Sequence, residues 1–300
     1  MRAVIIGAVE STHVAIRKLI ETDGWELPLV VTLEQSLGHR HSDLTDLADI
    51  SNAAGAQLLY VNNINEPDAI RRISDARPDY IFVIGWSQIC GPGLMNIAPG
   101  KVIGYHPAAL PRLRGRAAIP WTILNREAIT AGSLFYIDED VDNGPILDQH
   151  YFHLGHEETA TSLYGKHMEA LGIMLERTLP RMKNGTAEKT EQDNSYATWA
   201  AKRTPRDGHI DWSMPANDIL RLIRAVTHPY PGAFAQQGDK KWTLFGAISE
   251  EADFRYLASP GQVVVVDKKS FCVKCGTGTI RVTDWVGTDE VPPRLHSTLN

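Results

Sequence analysis

Between Lys101 and Gln149 the chain gathers a histidine, a run of guanidinium groups and a carboxylate-rich turn. His106 follows the apolar pair Val102–Ile103 and precedes Pro107, which lacks a backbone N–H and fixes φ, so its ring should stand where a strand ends. Downstream, Ser133 to Ile137 reads as a strand, and Asp138-Glu139-Asp140-Val141-Asp142 leads into an Asn143-Gly144 turn. A carboxylate beside an imidazole selects one tautomer and stabilises the charged ring, which is the equipment of acid–base chemistry near neutral pH. Taken singly, His106 would serve equally as a structural histidine and the acidic turn as a solvated one; their arrangement makes His106 and Asp142 the candidates for catalysis. Arg112, Arg114 and Arg116 lie between them, and guanidinium forks suit phosphates and carboxylates. The same cluster would equally serve as ion pairs that tether a loop.

Other reactive side chains lack companions in the sequence. His39 and His41 fall in the polar segment from Gln35 to Asp43, with no cysteine or carboxylate pattern to complete a metal set, which reads as a loop. Cys272-Val273-Lys274-Cys275 is a lone C-x-x-C inside an alternating stretch that sends the two sulfurs to opposite faces, so no metal is expected. Only three cysteines occur, Cys90 being the third, a count that suits a reducing compartment rather than a disulfide framework. His167 lies on the apolar side of a helix spanning Thr159 to Met182 and reads as a packed or solvent-edge residue.

The elements that must position these groups follow from periodicity. Arg2 to Ala8 is a continuous apolar run, the mark of a parallel strand covered on both faces. A helix through Glu21, with Ser11 or Thr12 as its cap, and a strand from Leu27 to Leu33 complete a right-handed βαβ unit. Further segments read as a helix over Leu44–Ala54, a strand over Gln57–Tyr60, a helix over Pro67–Ala76 and a strand over Tyr80–Ile84. The segment after it, Gly85 to Cys90, lies where an open α/β sheet places ligands. Gly7 stands alone where a dinucleotide turn needs three glycines, which counts against a nicotinamide-dependent oxidoreductase. The polar stretch Lys183–Gln192 marks a domain boundary, giving a catalytic domain over 1–190 and a linker with a small domain over 191–300. In the latter, Trp242–Ala247, Gly261–Val266, Ser270–Lys274 and Thr279–Val286 read as short strands of a small open barrel.

Bulk properties bound the class. The 300 residues carry 43% hydrophobic and 22% charged side chains and a net charge of −6, ordinary values for a folded globular protein. From Asp193 onward 13 basic residues face 12 acidic ones, so neither part has the basic excess of a chain that grips a polyphosphate backbone. No apolar run approaches the roughly 20 residues of a membrane span, and Met1–Gly7 is too short for a secretory leader. The expectation is a cytoplasmic protein with no membrane partner.

The order His106-Pro107, Leu110-Pro111, Arg114-Gly115-Arg116 and Asp142-Asn143-Gly144-Pro145-Ile146-Leu147 resembles the folate-dependent formyltransferases. That family includes methionyl-tRNA formyltransferase and the enzymes that formylate nucleotide-linked amino sugars. The segments Ile223-Arg224-Ala225 and Pro229-Tyr230-Pro231-Gly232-Ala233-Phe234 resemble the start of their C-terminal domain, so the likeness covers nearly the whole chain. It implies a Rossmann-like, mostly parallel α/β sheet with helices on both faces, followed by a small OB-like β-barrel. The co-substrate it implies is 10-formyltetrahydrofolate, with no metal. Trp86, Ile89 and Cys90, with Ile137, Asp138, Glu139, Asp140 and Val141 of the acidic turn, are then expected at the pterin pocket. Tyr105, Pro107, Arg114 and Arg116 are expected at the acceptor.

By the same resemblance, His106 stabilises the oxyanion of the tetrahedral species or relays the amine proton, while Asp142 holds the imidazole and a water. The family signature is Asn-x-His, and here the Asn position is Gly104. Either another group, such as Tyr105, Asn125 or a backbone N–H, supplies the missing donor, or the local alignment slips, or the site is degenerate. The arginine cluster favours a nucleotide-linked amino sugar as the amine, with methionyl-tRNA as the alternative. A non-catalytic formyl-folate-binding module is a further alternative, and a homodimer is left open.

Overall fold

The computed structural model describes residues 1–34, 36–37 and 43–300; His39 and His41 lie outside the described residues. The chain forms two compact units, one comprising Met1–Ala118, Ala128–His153 and Tyr164–Ala201, the other Ile119–Glu127, Leu154–Leu163 and Lys202–Asn300.

The first unit is built on strands β1 (Arg2–Ile6), β2 (Glu26–Leu33), β3 (Gln57–Val61), β4 (Tyr80–Val83), β5 (Val102–His106), β6 (Arg114–Gly115), β7 (Ile129–Tyr136), β8 (Ile146–His153) and β9 (Trp199–Ala200). Seven of them make one sheet in the order β3-β2-β1-β4-β5-β7-β8. The first five run parallel, while β7 pairs antiparallel with both β5 and β8. Its helices are α1 (Glu10–Glu21), α2 (Ala48–Ala53), α3 (Pro67–Asp75), α4 (Pro92–Met95) and, from Tyr164 on, α6 (Ala160–Lys183), while α5 (Ala118–Leu124) belongs to the second unit from Ile119 on.

Strand alternation sorts the core into two layers. Ala3 and Ile5 of β1 pack with Ile16 and Leu19 of α1 and with Leu171, Leu175 and Leu179 of α6. Val4 and Ile6 pack with Ala69 and Ile73 of α3 and with Leu94 of α4. This is the doubly covered parallel sheet that the continuous apolar run in β1 predicts.

Local differences from the sequence reading have identifiable causes. Thr12 is not the cap of α1 but lies in its first turn, where its hydroxyl accepts from Val9 N and donates to Ile84 O, stitching β4 to the helix start. The helix expected from Leu44 begins only at Ala48, because Leu44 forms a β-bridge with Val9 and the Asp46 carboxylate accepts from Ala48 N. At the end of β1, Gly7 N donates to Val31 O and Ala8 N to Gly85 O, so the N–H groups that would cradle a pyrophosphate are committed to backbone.

The second unit carries α7 (Ala216–Val226) and strands β10 (Ala233–Gln237), β11 (Lys240–Ser249), β12 (Val263–Val266), β13 (Phe271–Lys274) and β14 (Thr279–Gly287). These form a five-stranded antiparallel sheet in the order β10-β11-β14-β13-β12, the curled half-barrel of an OB-like domain. Register shifts around Gly246 break the β11–β14 ladder, the kind of irregularity that bends a strand pair. Strand β10 went unread in the sequence because Ala233–Gln237 lacks the β-branched residues that mark its neighbours. Tyr164–Ala201 belongs to the first unit and Lys202–Asn300 to the second, and β9 pairs in parallel with β6 within the first. Among the described residues no helix is long and apolar enough to cross a membrane.

His167 is fully buried in α6, and the Tyr105 hydroxyl lies 3.0 Å from its Nδ1 and 3.1 Å from its carbonyl oxygen. Burial, reinforced by the nearby charge of His106, lowers the His167 pKa to about 3. Below the ordinary value near 6.5 the unfolded chain binds a proton that the folded state refuses, so stability falls as pH drops from about 6.5 toward 3, by up to ~1.4 kcal/mol per pH unit, and the contribution is flat above 6.5. Urea unfolding at pH 7 and pH 5 should therefore show an acid loss in the native protein that is smaller by about 2 kcal/mol in His167→Gln.

Candidate active site

Strand β5 ends at His106, and alternation gives its residues to two sides of the sheet. Ile103 and Tyr105 join the α1–α6 layer, while Val102 joins the α3–α4 layer together with Trp86, Cys90 and Ile137. His106 has the parity of Val102 and so stands on the side that holds those three residues. Its Nε2 lies 2.7 Å from the Leu113 carbonyl, which can only accept, so Nε2 carries the proton. The other ring nitrogen, Nδ1, lies 3.5 Å from Asp142 Oδ2, and the histidine and aspartate side chains are 7% and 18% exposed. A neutral ring with its proton on Nε2 presents a bare lone pair to this carboxylate. A proton shared between Nδ1 and Oδ2 removes that repulsion, so the pair is built to hold or pass a proton at this gap.

Three non-glycine residues adopt left-handed backbone here: Leu113 at φ 55°, Ala117 at 56° and Asp142 at 53°. For Leu113, a bulky residue, this conformation is strained, and its carbonyl is the acceptor that fixes the His106 tautomer. Asp142 is held from both ends. Its Oδ2 accepts from Gly115 N at 2.8 Å, and its backbone carbonyl accepts from Gln192 Nε2 at 2.9 Å, which also donates to Gly144 O at 2.8 Å. Gly144 is required by close approach, since a Cβ there would meet Tyr136 O at 1.8 Å. The loop after His106 is fixed by Ser133, whose hydroxyl donates to Ala108 O at 2.6 Å, and by Gln149, whose amide donates to Leu110 O at 2.9 Å and to Ser133 Oγ at 2.8 Å.

Family comparison follows from this geometry. The model for "Formyl transferase" matches residues 3–179, and that for "Formyl transferase, C-terminal domain" matches residues 202–287. This chain belongs to the formyl transferase family. Among solved structures, HypX from Aquifex aeolicus in complex with tetrahydrofolic acid matches at 18% identity and TM-score 0.68, over 95% of this chain and 44% of that one. The chain thus spans less than half of HypX. An N-formyltransferase from Helicobacter canadensis, in complex with folinic acid and dTDP-3-aminofucose, matches at 16% identity and TM-score 0.67, covering 95% and 99% of the two chains. Methionyl-tRNA formyltransferase from Clostridium thermocellum matches at 18% identity and TM-score 0.57, covering 83% and 94%. At these identities the likeness is one of fold.

The structure brings His106 and Asp142 together and distributes the other candidates unevenly. Trp86, Cys90 and Ile137 pack in one cluster, and the Trp86 indole N–H is buried without an acceptor among the described residues. Burial pushes the Cys90 thiol up to about 12, which makes it an apolar wall rather than a nucleophile. Ile89 is 76% exposed and borders a hollow of about 560 Å³ lined by Asn62, Asn63, Asn65 and Gln88. Burial raises the Asp138 carboxyl above its ordinary range, while Glu139, Asp140 and Val141 stand exposed. Pro107 is half-buried. Tyr105 lies on the opposite side of β5 from His106, with its hydroxyl at His167, and burial raises its phenol pKa.

The arginines separate by role. Arg114 is buried, and its guanidinium donates to Gln192 Oε1 at 3.2 and 2.7 Å and to Asn194 Oδ1 at 2.7 Å. It anchors the amide that holds Asp142. Arg116 is exposed, its backbone N donates to Ala200 O, and its side chain has no partner among the described residues. The sequence reading missed Ser133, Gln149 and Gln192, whose amides and hydroxyl carry no periodic signal and act only across the fold.

Replacing Gln192 by Leu strands two loop carbonyls and leaves the buried Arg114 guanidinium only Asn194, so it should destabilise the protein by about 2–4 kcal/mol in urea titration, with the His106–Asp142 contact loosened in the same step.

Proposed function

We propose that this chain is an N-formyltransferase that moves the formyl group of 10-formyltetrahydrofolate to the primary amine of a nucleotide-linked amino sugar. The observation that carries the reading is the His106 Nδ1 to Asp142 Oδ2 gap of 3.5 Å, on the side of the sheet that holds Trp86, Cys90 and Ile137. Transfer forms a bond from the acceptor nitrogen to the formyl carbon and breaks the bond from that carbon to N10. The proton lost by the amine is returned to N10. The His106–Asp142 gap would accept the amine proton, and the protonated ring would face the negative charge that develops on the formyl oxygen.

The folate half of the reading is supported by the buried Trp86 N–H, without an acceptor among the described residues, on a residue that packs against the same apolar cluster as Cys90 and Ile137, a setting that a flat heteroaromatic ring with polar edges would satisfy. Trp86, Ile89, Cys90 and the turn from Ile137 to Val141 are its proposed contacts. The nucleotide half is supported by the exposed Arg116 guanidinium, without a partner among the described residues, and by Trp199, which pairs with Arg114 and is 69% exposed on β9. A cation for phosphate and an aromatic face for a base are what such a substrate offers to bind. The formal charge of −6 runs against a tRNA acceptor. Three free cysteines accord with a cytoplasmic enzyme.

The test is formyl transfer from 10-formyltetrahydrofolate to a panel of nucleotide-linked amino sugars and charged initiator tRNA. Transfer to the sugars alone is expected; transfer to tRNA alone would replace the acceptor, and folate binding without transfer to any amine would reduce the protein to a binding module. His106→Ala and Asp142→Asn should each lower turnover by about 10²–10⁴-fold. Asn retains the left-handed backbone of position 142, so its circular dichroism and melting should match the native protein. Turnover at the native level in either variant overturns the assignment.

A further inference from the structure

The register of β5 with β7 sets Gly104 opposite Phe135 and His106 opposite Ser133. These four residues share one side of the sheet, so Gly104 faces the side on which His106 stands. The space beside it is filled. A Cβ built on Gly104 would stand 2.8 Å from Phe135 Cε1, 2.9 Å from Phe135 Cζ and 3.1 Å from Ile137 Cγ1. Phe135 is 4% exposed, so its ring is a fixed wall rather than a flexible tip. Gly104 is not among the residues with positive φ, and backbone conformation therefore gives no reason for glycine there. In an ordinary strand conformation alanine is the more stable residue, which leaves the ring as the reason.

We infer that Gly104 and Phe135 are a matched pair in which the phenyl ring occupies the volume of a side chain at position 104, closing this wall of the His106 site with hydrocarbon. Resting on the transfer reading above, the inference makes Phe135 the residue that sets which side chain position 104 can carry. It denies the site a polar donor at position 104, while the His106 Nε2–H is already given to Leu113 O. Ser133, the nearest alternative, spends its O–H on Ala108 O. Tyr105 is on the other side of the strand with its hydroxyl at His167.

Two measurements test this. In a thermal double-mutant cycle, Gly104→Ala should lower Tm by about 2–6 °C in the native background, the signature of overpacking. The same substitution should leave Tm unchanged or raise it when Phe135 is Ala or Val. A rise in Tm for Gly104→Ala alone, or additivity across the cycle, overturns the pairing. In transfer assays, Gly104→Asn combined with Phe135→Ala should exceed Phe135→Ala alone by about 10-fold or more, since an amide donor at an oxyanion is worth ~10²–10³ in rate. Equal rates overturn the claim that the ring stands in a donor's place. Coupled melting with no transfer by any variant, native included, would remove the formyltransferase reading while supporting the pair.

Discussion

A single side-chain amide holds the Asp142 loop in place. Gln192 donates to the carbonyls of Asp142 and Gly144 and accepts from Arg114, so the loop bearing the carboxylate hangs from a residue fifty positions further along the chain. The left-handed conformation of Asp142 costs free energy, and it persists because these bonds and the Gly115 N–H over-determine the loop. Arg114 is buried, and its guanidinium donates to amide oxygens, which leaves the Asp142 carboxylate to His106 and the Gly115 N–H.

Antiparallel pairing of β7 with β5 is the second constraint. It ends the parallel run of the sheet and brings the acidic turn after β7 back to the end of β5. Without that reversal the sequence separation of His106 and Asp142 would be a separation in space. Alternation along β5 then divides labour between the two sides: Tyr105 locks the strand to α6 through His167, and His106 is left to the α3–α4 side. The buried His167, held neutral, adds no charge opposing a proton on His106.

The reading of Gly7 illustrates what sequence motifs carry. Its lone glycine argued against a dinucleotide turn, and the structure gives the physical counterpart, N–H groups of Gly7 and Ala8 already bonded to Val31 O and Gly85 O. The arginine cluster behaved differently. Its members read alike in sequence, yet Arg114 is an internal anchor within the β6–β9 ladder, bonded to Gln192 and Asn194, while Arg116 lies beyond the end of β6 and is exposed.

The fold decided the approach of His106 to Asp142, whereas periodicity and turn residues determined, without coordinates, the doubly covered parallel sheet and the open antiparallel sheet that follows it. These depend on local alternation and on short motifs, which the chain states outright. The tertiary structure alone decided the His106 tautomer, the tethering of Asp142 by Gln192, the reverse placement of Tyr105 and the filling of the Gly104 space by Phe135. Each of those depends on a contact between residues distant in sequence, and side-chain packing across strands leaves no periodic trace in the residues that make it.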